Sequence, residues 1–194
     1  MEDRRIILGS GSPRRKDLMY QIGYDVNVLV SDVDESFDKD LKVDQVAEIL
    51  AIRKAIALRD LVDARDVLIT ADSVVILDDE IYNKPSDPQD AFEMLSKLSG
   101  RTHQVITGVC VMVDQKQISF SESTDVTFAN LNDDEINAYI SDCAPFDKAG
   151  GYGIQDWIGW AKIERISGSY SNVMGLPVAK LYSILVEYCK PKIR

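Results

Sequence analysis

Short apolar runs alternate with amphipathic stretches along most of the chain. The longest run, Val67–Leu77, has the length and β-branched content of a buried strand, and the acidic Asp72 interrupts it. Ile6–Leu8 predicts a shorter buried strand near the N-terminus. Apolar Phe120 and Phe128 alternate with polar neighbours, which predicts a strand with one solvated face.

Turn and capping residues divide the chain into further elements. Pro13 stands where the first helical residue is expected, after Ser12 as N-cap, and Gly23 supplies the stop. Other helices are predicted from Asp44 as N-cap to about residue 62, from Asp87-Pro88 to residue 98, at 132–141 and at 177–188. Other strands are predicted at 24–30, 81–82, 103–113, 117–128 and 161–166. Because hairpins occur among alternating strands and helices, we expect an α/β fold with a mixed sheet and flanking helices.

Length and composition are those of an ordinary globular protein. The 194 residues are 45% hydrophobic and 28% charged, which suits one large domain or two tight lobes that share a core. We expect a single domain over residues 1–194. The net charge of −10 disfavours binding to nucleic acid or to an anionic membrane, although a local group of cations can still hold a small anion.

Cysteine usage and the N-terminus bear on cellular location. Cys110, Cys143 and Cys189 are far apart in the sequence and form no CxxC pair, as expected of reduced thiols. The first residues are charged and lack the apolar stretch of a signal peptide, and no segment reaches the ~18 apolar residues of a membrane span. We therefore expect a cytoplasmic protein.

A segment rich in serine, glycine and arginine opens the first predicted helix. Ser10 and Ser12 contribute hydroxyls, and Arg14 and Arg15 contribute guanidinium groups, next to the unpaired amides of a helix N-terminus. Because each guanidinium fork can bind two phosphate oxygens, this segment predicts a phosphate site. It is neither a P-loop nor a GxGxxG loop. A capped surface helix with two solvated arginines is the alternative, and the spacing alone leaves both open.

Asp72 is the carboxylate that most favours chemistry. A carboxylate within an apolar strand is costly to bury unless it is paired or used, and it could serve as a general base. The chain returns antiparallel after this strand, so Lys84 is expected to approach Asp72. Lys54, in the middle of a predicted helix, is either solvated or a long cation that reaches a phosphate. Asp72 as a simple strand end, and Lys84 as an exposed loop residue, are the alternatives.

A glycine-rich segment late in the chain is a second candidate for ligand binding. Three glycines within 150–153 let the backbone approach a ligand closely, and Gln155 offers a donor and acceptors that suit a nucleobase edge. A tight structural loop is the alternative. Trp157 and Trp160 flank a glycine just after it and could cover a cleft, pack in the core or form an interface.

Two further features are weaker. An acidic loop with Asp32, Asp34 and Glu35 could hold Mg²⁺ through oxygen ligands, although such runs are more often solvated. His103 is the only histidine, and no serine or cysteine motif accompanies it. We therefore exclude a Ser/His/Asp triad and expect His103 in packing.

Several motifs, taken in their order along the chain, resemble those of the Maf family. They are Ser10-Gly11-Ser12-Pro13-Arg14-Arg15, Ala71-Asp72-Ser73-Val74-Val75, Asn83-Lys84-Pro85 and Asp147-Lys148-Ala149-Gly150-Gly151-Tyr152-Gly153-Ile154-Gln155. Ser167-Gly168-Ser169-Tyr170 and Gly175-Leu176-Pro177 add to the likeness, which spans residues 5–188. Each motif alone is weakly specific, but together and in order they make the resemblance strong.

The resemblance implies a nucleoside triphosphate pyrophosphatase that releases a nucleoside monophosphate and pyrophosphate with a divalent metal, Mg²⁺ or Mn²⁺. It implies an elongated fold with two lobes about a central cleft, like the inosine triphosphatases. Asp72 matches the family's proton acceptor, and whether it accepts the proton or holds the metal stays open. The positions that match phosphate and metal ligands are Ser10, Arg14, Arg15, Glu35, Lys54 and Lys84, and those that match base choice are Arg14, Ser73 and Gln155.

The segment 147–155 resembles the dTTP/UTP branch of the family rather than the 7-methyl-GTP branch. The dTTP/UTP branch usually has threonine where this chain has Ser73. This change bears on the ranking of dTTP and UTP more than on the class of enzyme. We expect a nucleoside triphosphate as partner, and neither nucleic acid nor membrane. The oligomeric state is left open, with a homodimer as one option. The alternatives are the same chemistry on a purine triphosphate such as 7-methyl-GTP, or a non-catalytic nucleotide-binding regulator of cell division.

Overall fold

The computed structural model describes residues 4–38 and 41–193. Its strands are β1 Ile6–Leu8, β2 Asn27–Val28, β3 Val67–Leu77, β4 Glu80–Tyr82, β5 Thr102–Val113, β6 Lys116–Phe128 and β7 Ile163–Ser167. In these residues they form a seven-stranded sheet in the order β2-β1-β3-β5-β6-β7, with β4 paired to β3. β1 runs parallel to β2 and β3, whereas β4 is antiparallel to β3 and β7 is antiparallel to β6. The predicted mixed sheet is confirmed.

The helices lie between strands and hairpins along the chain. They are α1 Pro13–Gln21, α2 Val46–Leu58, α3 Pro88–Leu98, α4 Asp133–Cys143, α5 Trp157–Lys162, α6 Tyr170–Val173 and α7 Val178–Leu185. Short 3-10 turns lie at Val43–Gln45, Arg59–Leu61 and Ala149–Gly151. Within the described ranges no helix combines the length and apolar character needed to cross a bilayer.

The chain divides into two compact units. Unit 1 comprises Met1–Asp72, Thr107–Glu122 and Gly175–Arg194, and unit 2 comprises Ser73–Ile106 and Ser123–Met174. β3, β5 and β6 therefore each give residues to both units.

The core of unit 1 lies between α2 and the strands it covers. Buried side chains of α2 pack with apolar residues of β1, β3 and β5; the set is Ile7, Ala51, Ala55, Leu58, Leu68, Cys110 and Met112. Gly108 on β5 permits this packing, because an added Cβ would lie 2.2 Å from the Glu48 amide nitrogen. The close approach of backbones fixes α2 against the sheet, and α2 carries Lys54.

The core of unit 2 joins the hairpin β3–β4 to α3 and α4. Its fully buried side chains include Leu95, Leu98, Val126, Phe128, Ile136 and Ile158. Phe120 and Val126 share the buried face of β6 with Phe128, as their parity predicts.

Several helix boundaries follow from the capping residues predicted from the sequence. Pro13 is the first residue of α1, and Gly23, with φ of 87°, lies just past its end. Asp87 caps α3 by accepting a hydrogen bond from the Asp90 amide. Asn132 and Glu135 form a capping box at the start of α4.

Other predicted boundaries are wrong. Asp44 is not an N-cap, because a 3-10 turn closed by the Gln45 amide and the Lys42 carbonyl precedes α2, and no side chain caps either start. The strand predicted at 24–30 has only Asn27–Val28, since its partner β1 offers three residues for pairing. The helix predicted at 177–188 ends at Leu185.

The strand predicted at 161–166 begins later, because α5 occupies Trp157–Lys162. Gly159 makes this tight helical turn feasible, since an added Cβ there would lie 1.8 Å from the Ile154 carbonyl oxygen. Neither α5 nor α6 was predicted from the sequence.

Candidate active site

Ser10 and Ser12 lie in the loop between β1 and α1 of unit 1. The buried Ser10 hydroxyl accepts hydrogen bonds from the Ser12 amide at 3.3 Å and from Nη1 of Arg15 at 3.0 Å. Ser12 occupies the N-cap position of α1, but its side chain makes no capping hydrogen bond. Its hydroxyl is therefore not used to satisfy the helix amides. Arg14, the second residue of α1, is partly exposed beside them.

Arg15 ties the first turn of α1 to two other parts of unit 1. Its Nε donates to the Gly175 carbonyl and its Nη1 to the Ala71 carbonyl, both at 2.8 Å. Burial lowers the pKa of Arg15, and the nearby Asp72 carboxylate opposes that shift. Arg15 thus fixes the backbone immediately before Asp72. This bracing contribution could not be predicted from sequence spacing, and a contact between Arg15 and phosphate remains a prediction.

Lys54 lies between two carboxylates. Its Nζ is 2.5 Å from Oδ1 of Asp72 and 2.6 Å from Oε1 of Glu35. The side chains of Lys54 and Asp72 are only 12% and 14% exposed, whereas that of Glu35 is 50% exposed. The helix α2, the strand β3 and the acidic loop thus bring these three predicted residues together around one nitrogen. The pairing favours Lys54 as a long cation over Lys54 as a solvated side chain.

Glu35 and Asp72 also decide whether a divalent metal fits. Among the described residues no group of three histidine, cysteine or carboxylate side chains could form a cage around an ion. Mg²⁺ usually takes one or two carboxylates together with water and substrate phosphates. Two carboxylates directed at one cationic position match that donor set. The residues therefore fit a metal held partly by its substrate.

The hairpin β3–β4 places the next candidates, all in unit 2. Val75 pairs with Tyr82, and the two strands are antiparallel as predicted for the return of the chain. Asn83, just beyond that pair, accepts a hydrogen bond from the Gly150 amide at 3.1 Å. Lys84 follows and is exposed. The register confirms the hairpin, and the role of Lys84 stays a prediction.

The glycine-rich segment is closely packed at several points in unit 2. Gly150 has a φ of 70°, and an added Cβ would lie 3.0 Å from Val75. Tyr152 is buried, and its hydroxyl lies 2.8 Å from Nε2 of His103. His103 packs edge-on against Phe128 and Tyr152, and burial lowers its pKa to about 4. His103 thus belongs to the packing that supports this segment.

Gln155 ends the segment with an unsatisfied acceptor. Its Oε1 is buried and has no hydrogen-bond partner among the residues that the structure describes. Its backbone carbonyl accepts from Nε1 of Trp160 at 3.1 Å. Ser73, the third predicted specificity position, is partly exposed on β3. A buried amide oxygen without a donor is unusual in a folded protein and needs an explanation.

Tyr139 was not identified from the sequence. Its hydroxyl accepts from the Gly153 amide at 3.0 Å and donates to Oδ2 of Asp156 at 2.9 Å. The only sequence signal is the helical spacing of Tyr139 with Ile136 and Ile140, which is typical of packing.

Comparison with known proteins places the chain in a family. A family model described as Maf-like protein matches residues 5–188. The chain belongs to the Maf-like protein family. A "dTTP/UTP pyrophosphatase" of Phocaeicola vulgatus is 49% identical over 187 residues, covering 95% of this chain and 96% of the relative. A protein of the same name from Flavobacterium psychrophilum is 43% identical over 187 residues and covers 96% of each chain.

Two solved structures also match this Maf-like protein. The Staphylococcus aureus Ham1 protein is 18% identical with a TM-score of 0.47, covering 65% of this chain and 72% of that chain. A "Nucleoside-triphosphatase / dITP/XTP pyrophosphatase" from Mycobacterium abscessus is 11% identical with a TM-score of 0.43, covering 95% of each chain. The family predicted from the sequence motifs is confirmed by the family model and the curated relatives.

Proposed function

We propose that this Maf-like protein hydrolyses nucleoside triphosphates, with dTTP and UTP as its best substrates, to the nucleoside monophosphate and pyrophosphate. The observation that carries the proposal is the set Glu35, Lys54 and Asp72 in unit 1, where a shielded lysine bridges two carboxylates. Relatives that match nearly the whole chain bear the name dTTP/UTP pyrophosphatase. Such a reaction would clear unwanted nucleotides from the cellular pool.

The chemistry needs a water molecule that attacks the α-phosphorus in line with the leaving pyrophosphate. The new bond joins the water oxygen to phosphorus, and the bond from the α-phosphorus to the α–β bridging oxygen breaks. Asp72 would accept the proton that the water loses, as a general base. Arg14, Arg15, Lys54 and Lys84, with the hydroxyls of Ser10 and Ser12, would offset charge on the triphosphate.

A divalent cation, Mg²⁺ or Mn²⁺, would supply further charge neutralisation and lower the pKa of a bound water. Glu35 and Asp72 would hold it, because their carboxylates converge on one cationic position. Lys54 would then exchange those partners for phosphate oxygens.

Base selectivity is assigned to Gln155 and Ser73, and the family resemblance adds Arg14. The unsatisfied Oε1 of Gln155 can accept the N3–H that thymine and uracil share, while its amide nitrogen donates to a neighbouring carbonyl oxygen. Thymine and uracil differ by one methyl group, which is worth only ~1–3 kcal/mol. We expect dTTP and UTP to be used within about two orders of magnitude of each other, and purine triphosphates far less.

A panel of ordinary and modified triphosphates, each with Mg²⁺ or Mn²⁺, tests the reaction. Pyrophosphate and nucleoside monophosphate are expected as the products from dTTP and UTP. Stepwise release of orthophosphate would show that the proposed cleavage between the α- and β-phosphates is wrong. Tight nucleotide binding without turnover would favour a nucleotide-binding regulator. Equal or faster turnover of 7-methyl-GTP or another purine would overturn the pyrimidine assignment.

Gln155→Ala tests the base contact directly. It should narrow the gap in kcat/KM between pyrimidine and purine triphosphates more than it lowers the best rate. Gln89→Ala is the control, because Gln89 is an exposed residue of α3 whose side-chain amide donates to Glu93 at 3.0 Å. If the gap survives in Gln155→Ala, Gln155 does not select the base.

A further inference from the structure

A four-residue turn carries Gln155. The Asp156 amide donates to the Gly153 carbonyl at 3.0 Å, so the turn runs over 153–156 with Gln155 as its third residue. Ile154, the second residue, is 3% exposed and anchors the turn in the core of unit 2. The direction of the Gln155 side chain therefore depends on how the two ends of this turn are held.

One hydroxyl holds both ends. Tyr139 on α4 is 2% exposed, and its hydroxyl oxygen accepts from the Gly153 amide while its proton goes to Oδ2 of Asp156. Burial raises the pKa of Tyr139, so the phenol stays protonated and remains a donor to Asp156. The Lys148 ammonium lies 3.9 Å from the same Asp156 oxygen. Both hydrogen bonds of Tyr139 end on the turn that bears Gln155.

Gly153 sets the second constraint. An added Cβ at this position would lie 2.5 Å from Oδ2 of Asp156 and 2.8 Å from Nε2 of Gln155. The Gln155 amide therefore folds back over the Gly153 α-carbon, within the space that any larger residue would fill. Since the crowded atoms are ends of side chains, an alanine here displaces the amide rather than the backbone.

We infer that Tyr139 is a positioning residue for base selectivity: its hydroxyl locks the 153–156 turn and aims the Gln155 amide before a nucleotide binds. The inference rests on the proposed function of Gln155. Pre-ordering matters because a side chain that must be ordered on binding loses part of its interaction energy to that ordering. Tyr139 touches neither substrate nor metal in this assignment, and it acts only through Gln155.

The test compares Tyr139→Phe with Tyr24→Phe. Tyr24, in unit 1, is also buried, and its hydroxyl donates to the Cys189 carbonyl at 3.3 Å, so its variant loses one buried hydroxyl of the same kind. In Tyr139→Phe the ratio of kcat/KM for dTTP to that for dATP should fall about tenfold, mainly through a higher KM for dTTP. Tyr24→Phe should leave the ratio unchanged. An unchanged ratio in Tyr139→Phe, or an equal fall in Tyr24→Phe, overturns the inference.

A double variant separates positioning from general damage. If Tyr139 acts through Gln155, adding Tyr139→Phe to Gln155→Ala should not reduce the selectivity ratio further. A further fall of the same size would show that Tyr139 acts by another route and would overturn the inference. Gly153→Ala is expected to reduce the ratio as Tyr139→Phe does, with unfolding behaviour close to that of the unaltered protein.

A measurement without nucleotide keeps this inference apart from the proposed function. The side-chain amide resonances of Gln155, assigned by their loss in Gln155→Ala, should move toward unstructured values in Tyr139→Phe and stay in place in Tyr24→Phe. If the unaltered protein hydrolyses neither dTTP nor UTP, the proposed function fails while these resonances still test the positioning. If the resonances stay in place in Tyr139→Phe, the positioning is wrong even in an active enzyme.

Discussion

The ammonium of Lys54 lies 2.5 Å from the carboxylate of Asp72, and both side chains are almost completely shielded from solvent. Removing two charges from water is costly, and close pairing only partly offsets that cost. A shielded pair that also faces the half-exposed Glu35 is therefore well placed for exchange with an ionic ligand. Anionic phosphates would compete for Lys54, and a metal cation would compete for the carboxylates.

Asp72→Asn retains the shape of the side chain and removes its charge. If Asp72 accepts the proton of the attacking water, turnover of dTTP should fall by at least ~10²-fold, the usual contribution of a general base. Nucleotide binding, measured by calorimetry, should persist because Lys54 is then released from one of its carboxylates. Turnover close to that of the unaltered protein would remove Asp72 from the mechanism.

The matched control for that variant is Asp66→Asn. Asp66 is a buried carboxylate of unit 1 that pairs with Arg5 at 2.8 Å just before β3 begins. The Asp66→Asn variant should be less stable than the unaltered protein but should retain turnover of dTTP.

Titrating Mn²⁺ into the assay separates two roles of Asp72. If Asp72 is a metal ligand, Asp72→Asn should need more Mn²⁺ for its half-maximal rate. If Asp72 acts only as a base, the Mn²⁺ requirement should not change.

Lys54→Met should strengthen metal binding while it weakens catalysis. The variant leaves Glu35 and Asp72 facing each other without the cation between them, so a divalent ion no longer competes with an ammonium. Removing a positive charge a few ångströms from the ion is worth ~2 kcal/mol even in a water-like dielectric, or at least about tenfold in affinity. The measurement is calorimetric titration with Mn²⁺ alone.

Lys192→Met controls for the change in net charge. Lys192 forms an exposed pair with Asp25 at 3.0 Å in unit 1, so its loss should leave Mn²⁺ affinity unchanged. If Lys54→Met and Lys192→Met bind Mn²⁺ alike, the two carboxylates near Lys54 are not the metal site.

The elements predicted most accurately are those with strong local signals. Val67–Leu77 has its predicted bounds because a long β-branched run has few alternatives to a buried strand. The helix starts at Pro13 and Pro88 were predictable because proline favours the first helical position, and Asp87 also caps α3. β2 was overestimated because the short partner strand β1, and not its own composition, limits its length.

The candidate site was predictable in identity but not in arrangement. The residue pattern singled out Asp72, and the family resemblance added Lys54 and Glu35, whose roles stay predictions. Their convergence depends on packing of α2 that distant glycines such as Gly108 permit. The bracing by Arg15 was not predictable, because its acceptors are backbone carbonyls of Ala71 and Gly175 and carry no sequence signal.

Arg15→Lys should destabilise unit 1. Lysine retains the charge but cannot reproduce a planar fork that serves the carbonyls of Ala71 and Gly175 together. Leaving one of these acceptors without a donor costs ~1–3 kcal/mol, which urea unfolding can resolve. Arg59→Lys is the control, because Arg59 is bound to the Asp114 carbonyl at an exposed position and should cost less than ~0.5 kcal/mol. Equal losses in the two variants would contradict a bracing role.

His103 should make the stability of the protein depend on pH in a defined window. Burial lowers its pKa from 6.5 to about 4, and its neighbours Phe128 and Tyr152 offer no charge that would favour the protonated ring. The unfolded chain protonates this histidine near its ordinary pKa, so between pH 6.5 and 4 the unfolded state binds more protons than the folded state. The stability contributed by the neutral ring is therefore present above pH 6.5 and is lost as the pH falls through this window, on the order of 3 kcal/mol in all.

His103→Gln removes the titrating group but retains a hydrogen-bonding side chain toward Tyr152, and the carboxylates that titrate in the same range are common to both proteins. Urea unfolding at several pH values from 7.5 to 4.5 should show the unaltered protein losing more stability than His103→Gln, and parallel losses would rule out a neutral, buried His103.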